Sequence, residues 1–216
     1  MIGAGAAGMM CAATAAMNGA EVLLVERNDR CGRKLAITGK GRCNVTNACS
    51  RDEFLKNVIH NPRFLYSALS SFSTEDTVAF FESLGVPLKV ERGNRVFPVS
   101  DKAADIVSAL QKICTDCGVV FRKGTVSRIL TKDASVVGVG LSDGTVLSAE
   151  KVVIACGGMS YPVTGSDGSG YRLAQDCGHS VVTPRPSLVP WEVEEGEFCR
   201  SLQGLSLKNT ALRVEW

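Results

Sequence analysis

Met1-Ile2-Gly3-Ala4-Gly5-Ala6-Ala7-Gly8 sets three glycines at the spacing G-x-G-x-x-G. In a strand–turn–helix unit the first glycine permits a tight turn and the second lets backbone approach a pyrophosphate. The third lets helix and strand pack closely. Gly3, Gly5 and Gly8 match those roles. The spacing alone is weak evidence, so the residues that follow decide its meaning. Ala6 to Asn18 is rich in Ala and Met and stops at Gly19, which predicts a helix of small side chains. Glu21-Val22-Leu23-Leu24-Val25-Glu26 is an apolar run closed by an acid, which predicts a buried strand. Glu26 stands where a strand-tip carboxylate accepts hydrogen bonds from an adenosine ribose. A helix N-terminus above the glycines offers free N–H groups and about half a positive charge to a diphosphate. An acid at the ribose disfavours a 2′-phosphate, so this turn reads as a site for FAD or NAD rather than NADP.

The next stretch, Cys31 to Asn47, reads C-G-R-K-L-A-I-T-G-K-G-R-C-N-V-T-N. It offers bare backbone at Gly32, Gly39 and Gly41 and cations at Arg33, Lys34, Lys40 and Arg42. Asn44 and Asn47 suit a polar ring edge. Such a segment fits a long ligand whose second half extends past the strand ends. A third stretch, Val152 to Pro162, is an apolar run ending in Gly157-Gly158 and again brings backbone close to something flat or charged.

Between these lie further elements. Asn28 to Ser50 lacks periodicity and is expected to be a long loop. Asn61–Phe72 and Thr74–Leu84 read as helices, the second opened by a Ser73/Asp76 capping box. Pro87–Glu91 and Arg95–Val99 read as strands around Gly93-Asn94. Ser100 is expected to cap a helix over Asp101–Cys117, which Gly118 ends. Val119–Phe121, Thr125–Thr131, Val136–Leu141, Thr145–Leu147 and Lys151–Ala155 read as strands, with a hairpin turn at Asp143-Gly144. Gly170–Cys177 reads as a helix, Pro184, Pro186 and Pro190 as a linker, and Leu205–Trp216 as the opening of new β structure.

The net charge of +2 among 216 residues gives no electrostatic case for nucleic acid or an acidic membrane. No apolar run reaches the roughly 18 residues of a membrane span, and no leader pattern is visible. Nine cysteines, an odd count, imply reduced thiols in the cytoplasm rather than a disulfide framework. Cys114 and Cys117 form one C-x-x-C, but only His60 and His179 could complement it, so no metal site is expected. The Asn44-Val45-Thr46 sequon is a chance match in such a chain. The oligomeric state is not legible.

The blocks R-K-L-A-I-T-G-K-G-R-C-N-V-T-N, R-V-F-P-V-S-D-K-A, A-C-G-G-M-S-Y-P-V-T-G-S-D-G-S-G-Y and P-R-P-S-L-V-P resemble a bacterial family of NAD(P)/FAD-dependent oxidoreductases, the BaiN-type, aminoacetone-oxidase-like flavoproteins. The resemblance covers essentially the whole chain. It implies an α/β fold: a Rossmann-like FAD-binding domain of the two-dinucleotide-binding type over 1–186, with an inserted β-rich domain beginning over 187–216. It implies FAD contacts at Gly3, Gly5, Gly8, Glu26, Arg33, Lys34, Gly41, Arg42, Cys43, Asn44, Val126 and Gly157, with Val126 giving backbone near the adenine. It also implies hydride passing from NAD(P)H to flavin N5 and on to an unsaturated or carbonyl-conjugated small molecule. Arg42 and Lys40 are candidates to stabilise negative charge on reduced flavin, and Ser160 and Tyr161 to face the substrate. Cys43 reads as a packing or flavin-contacting residue rather than a nucleophile, and no residue is assigned as catalytic. Family members have a full first strand before the glycines and about twice this length, so the chain is expected to be an incomplete copy that folds or binds FAD weakly. Alternatives are a non-catalytic dinucleotide-binding remnant and a tRNA-modifying flavoprotein.

Overall fold

A computed structural model describes residues 1–186, 196–205, 210–211 and 213. In chain order the first elements are α1 (Ala6–Met17), β1 (Leu23–Glu26), α2 (Arg33–Gly41), β2 (Thr46–Asn47), α3 (Arg51–Lys56), α4 (Tyr66–Ser71) and α5 (Thr74–Ser83). They are followed by β3 (Leu88–Glu91), β4 (Arg95–Pro98), α6 (Ala103–Asp116), β5 (Val120–Lys123), β6 (Val126–Lys132), β7 (Ser135–Leu141), β8 (Val146–Ser148), α7 (Ser169–Asp176) and α8 (Gly196–Ser201). The chain divides into two compact units, Met1–Val181 and Val182–Trp216. The division falls ahead of the expected 186/187 boundary. Most of the expected inserted domain, the β structure expected from Leu205 onward, and Pro190 lie outside the described residues. What is described of the second unit is chiefly α8.

The first unit is built on a parallel sheet. β1 pairs with β5 on one side, and Ile2 bridges both Val25 and Ile154 in parallel. Backbone bonds extend these bridges: Gly3 N–H donates to Val25 O at 2.8 Å, and Ala155 N–H donates to Ile2 O at 2.8 Å. The order across the sheet is therefore β5, β1, Met1–Gly3, Val153–Ala155. The chain leaves Met1–Gly3 in one direction and returns on its other side, so the strand order reverses there, and ligands of such sheets bind at that reversal, beyond the strand ends.

Each face of the sheet is covered differently. On one face α1 and α6 contribute Met9, Ala12, Ala13, Ile106, Leu110 and Cys114 to a buried cluster with Leu24. Small side chains on α1 let it lie close to α6 and the sheet, as the Ala-rich sequence predicts. On the other face Ile2 and Val25 pack with Val126, Val139 and Leu141 of the antiparallel meander β6-β7-β8 and with Leu173 of α7. A small antiparallel sheet, β2-β4-β3, forms separately.

Several expectations change. Asn28–Ser50 is not a bare loop: α2 and β2 lie within it, and α2 leaves helical geometry at Thr38, Gly39 and Lys40. No α2 residue is fully buried, so no apolar stripe marked it. Asn61–Phe72 is a 3-10 turn over Pro62–Leu65 followed by α4, because Asn61 takes a positive φ of 51° ahead of the proline. Ser100 does not cap α6: Lys102 holds the cap position, and the Ser100 hydroxyl donates to Asp105 Oδ2 at 2.5 Å. The Ser73/Asp76 capping box is present. All four residues of β5 are at least partly solvent-facing, as befits the end of the sheet order. Val153 is 38% exposed rather than buried. All nine cysteines are free, and among the described residues no cluster suits a metal ion. Among them too, no helix is long and apolar enough to cross a membrane.

Candidate functional site

The loops at the strand ends surround a cleft of about 540 Å³, within the roughly 300–1,000 Å³ typical of small-molecule sites. Its floor is the glycine turn. Gly3 has φ 98°, and a Cβ there would meet Ala155 O at 2.6 Å. A Cβ on Gly8 would meet Gly3 O at 1.8 Å. These two glycines are demanded by packing. Gly5 differs: it caps α1 with ordinary φ (−81°), and a Cβ on it would meet nothing within 4 Å. Gly5 therefore presents bare backbone to the cleft. α1 begins with no side-chain cap and no acid in its first turn, which leaves its N–H groups and positive dipole end for a ligand.

Glu26 closes β1 and fastens the turn. Its Oε2 accepts from Ala4 N–H at 2.7 Å, and its Oε1 accepts from Asn28 N–H at 2.8 Å and Asn28 Nδ2 at 2.7 Å. An ionised carboxylate has about four acceptor sites, so capacity remains for a ribose hydroxyl. Arg30, Arg33 and Lys34 also line the cleft, and Glu26 is its one lining carboxylate among the described residues. Arg33 donates to Asn28 Oδ1 at 2.8 Å, and Lys34 Nζ lies 3.4 Å from Ser160 Oγ. This positive excess over an uncapped helix start fits a diphosphate, and the strand-tip acid fits a ribose. The residues present thus fit an adenine dinucleotide.

Of the twelve residues singled out from the sequence, Gly3, Gly5, Glu26, Arg33, Lys34, Val126 and Gly157 line the cleft. Gly8 sits behind it, against Gly3. Gly41, Arg42, Cys43 and Asn44 are not among the lining residues. Arg42 forks onto Glu91 at 2.8 and 3.1 Å, reaches Asp101 at 3.2 Å, and lies over the Phe97 ring at 4.1 Å. Cys43 is fully buried, and burial pushes its thiol pKa up. The Asn44 amide nitrogen donates to Thr46 O at 3.0 Å and Val96 O at 3.3 Å. Ser160 and Tyr161 are exposed beside the cleft rather than within its lining.

Sequence reasoning missed a further group. Arg27 pairs with Asp167 at 2.9 Å and donates to Gly165 O, while Asn28 Nδ2 lies 3.4 Å from Thr164 O. The Arg27 guanidinium, together with the Ser169 N–H, holds the Asp167 carboxyl far below the usual carboxylate range. No local pattern links residue 27 to residue 167. Only the sheet order brings them together.

A parallel sheet with its strand-order reversal at a glycine turn, an α/α layer on one face and a β-meander on the other define the Rossmann-like FAD-binding class. The comparisons agree. The family model for the HI0933-like protein Rossmann domain matches residues 1–211, and the chain belongs to that family. It is 34% identical over 209 residues to 3-dehydro-bile acid delta(4,6)-reductase of Clostridium scindens, covering 93% of this chain and 49% of that protein. It is 35% identical over 196 residues to the ribosomal RNA dihydrouridine synthase of Escherichia coli, covering 90% and 48%. The Haemophilus influenzae protein of the same name is 32% identical, with 97% and 53% covered. The chain thus spans about half the length of the curated relatives it matches. Among solved structures, 3-ketosteroid-delta4-(5alpha)-dehydrogenase of Rhodococcus jostii, in complex with 4-androstene-3,17-dione, aligns with a TM-score of 0.65. That alignment has 17% identity and covers 83% of this chain and 53% of that one, a likeness of fold.

Proposed function

We propose that this chain is the FAD-binding part of an oxidoreductase that reduces a carbon–carbon double bond conjugated to a carbonyl, with NAD(P)H as the electron source. The observation that carries the FAD site is the glycine turn, where Gly5 alone of the three glycines faces open space beneath an uncapped helix start. Ala4 N–H holds Glu26 toward the ribose position, and Arg30, Arg33 and Lys34 supply cations for the diphosphate. When bound, the flavin supplies hydride transfer. The names of the relatives support the reaction class. A delta(4,6)-reductase and a dihydrouridine synthase both describe saturation of a double bond conjugated to a carbonyl, in a steroid ring and in a uracil ring respectively. The proposal takes the substrate to be a small molecule in the cytoplasm, with neither nucleic acid nor membrane as partner.

A second reading, reduction of a uridine within ribosomal RNA, is favoured by the names of two relatives at similar identity. One experiment separates them. The flavin-loaded full-length protein is reduced with NADH or NADPH without oxygen and mixed with an unsaturated bile-acid ketone or with ribosomal RNA lacking dihydrouridine. Return of oxidised-flavin absorbance with the ketone supports the first reading, and with RNA alone the second. Absence of both overturns the reaction class.

A further inference from the structure

Two loops distant in sequence meet along one side of the cleft. Arg27 and Asn28 follow β1, and Thr164 to Asp167 precede α7. Thr164, Gly165 and Ser166 form part of the cleft wall. The approach is close: a Cβ on Gly165 would meet Asn28 Nδ2 at 2.7 Å. Ser166 is buried, and its Oγ would lie 2.7 Å from a Cβ on Gly157. The wall segment is therefore pressed against both neighbouring strand ends.

Its polar fastenings to the β1 side come from Arg27 and Asn28. Arg27 holds Asp167 Oδ2 at 2.9 Å and Gly165 O with the other arm of its fork. Asn28 reaches Thr164 O and is itself held by Glu26 Oε1. Asp167 Oδ1 accepts from Ser169 N–H at 3.0 Å, tying the fastening to the start of α7. The contacts form one relay from Ala4 N–H of the glycine turn, through Glu26 and Asn28, to the far wall. The relay borders the cleft on its Glu26 side.

We propose that Arg27 and Asp167 are positioning residues that latch the Thr164–Ser166 wall across the Glu26 side of the cleft and set how long a bound dinucleotide stays. This rests on the FAD reading above. The pair is partly solvated, with side-chain exposures of 27% and 39%. Salt therefore weakens it.

The test loads the full-length protein with FAD and follows its release after dilution by the rise in free-flavin fluorescence. Asp167→Asn and Arg27→Ala are expected to release FAD about five- to tenfold faster, the scale of a partly exposed, charge-assisted contact. Arg27→Lys keeps the charge and loses the fork, so it falls between. Added salt speeds release more steeply in the unaltered protein than in Asp167→Asn. A merely structural pair would lower the melting temperature and leave release unchanged, and unchanged release in both variants overturns the latch. If the unaltered protein takes up no FAD, the cofactor reading fails. Amide hydrogen exchange over residues 161–168 without flavin then judges the fastening: faster exchange in Asp167→Asn upholds it, and equal exchange overturns it.

Discussion

The chain holds two glycine-rich segments that look alike on paper and fold to opposite ends. In Gly3–Gly8, Gly5 is open to the cleft, while Gly8 is packed on Gly3 O and Gly3 on Ala155 O. In Gly39–Asn44 the segment is tied to the β2-β4-β3 sheet, with Cys43 buried, Arg42 half-buried and Lys40 and Asn44 exposed. A Cβ on Gly39 would meet the Phe97 ring at 2.9 Å. Arg42 pairs with Glu91 and Asp101 and lies over the face of Phe97, and Cys43 is buried. Glycine beside a cation thus occurs in two different packings in one chain. In the second, acids from elsewhere in the chain, Glu91 and Asp101, pair with the cation.

Substitutions can break that contrast. Gly8→Val drives a side chain into Gly3 O and is expected to cost more than about 3 kcal/mol, read as a collapsed thermal melt. Gly5→Asp is expected to separate fold from binding. Aspartate is a good helix cap, so the melting temperature holds, while a like charge at the diphosphate lowers FAD affinity by about 100-fold in a fluorescence titration. Gly39→Ala should cost about 1–3 kcal/mol in urea unfolding, because its φ of 56° and the Phe97 ring both oppose a methyl group. The smallest effect concerns pH. Arg42 holds the Glu91 carboxyl below its ordinary range, and Lys89 with Arg42 does the same for Asp101. Depressed folded-state values mean this stabilisation is complete above the ordinary carboxylate pKa and is lost as pH falls below it. Arg42→Ala is expected to flatten that acid-side decline in the urea midpoint.

Much of the fold was legible because local patterns coincide with it. The glycine spacing, the Ala-rich α1, the apolar β1 ending in Glu26, the capping box of α5 and the Asp143-Gly144 hairpin all show as patterns within a few consecutive residues. α2 was not legible, because a short helix without a buried stripe and with three non-helical residues leaves no periodic trace. Nor was the exposure of β5 and Val153, since an edge is a property of sheet order. The site divides the same way. Gly3, Gly5 and Glu26 announce themselves through spacing, whereas Arg27 and Asp167 meet only after the sheet assembles. The pairing of Arg42 depends on Glu91 and Asp101, acids on β3 and in the turn before α6.

The chain of close approaches from Gly8 to Gly3 to Ala155 constrains descent as well as stability. A methyl on Gly8 would need the space that Gly3 O occupies, and a methyl on Gly3 the space that Ala155 O occupies. Drift at this corner must pass through a misfolded intermediate or move several residues at once. Gly5, free of that lock, is where a lineage can shed its nucleotide and keep its architecture.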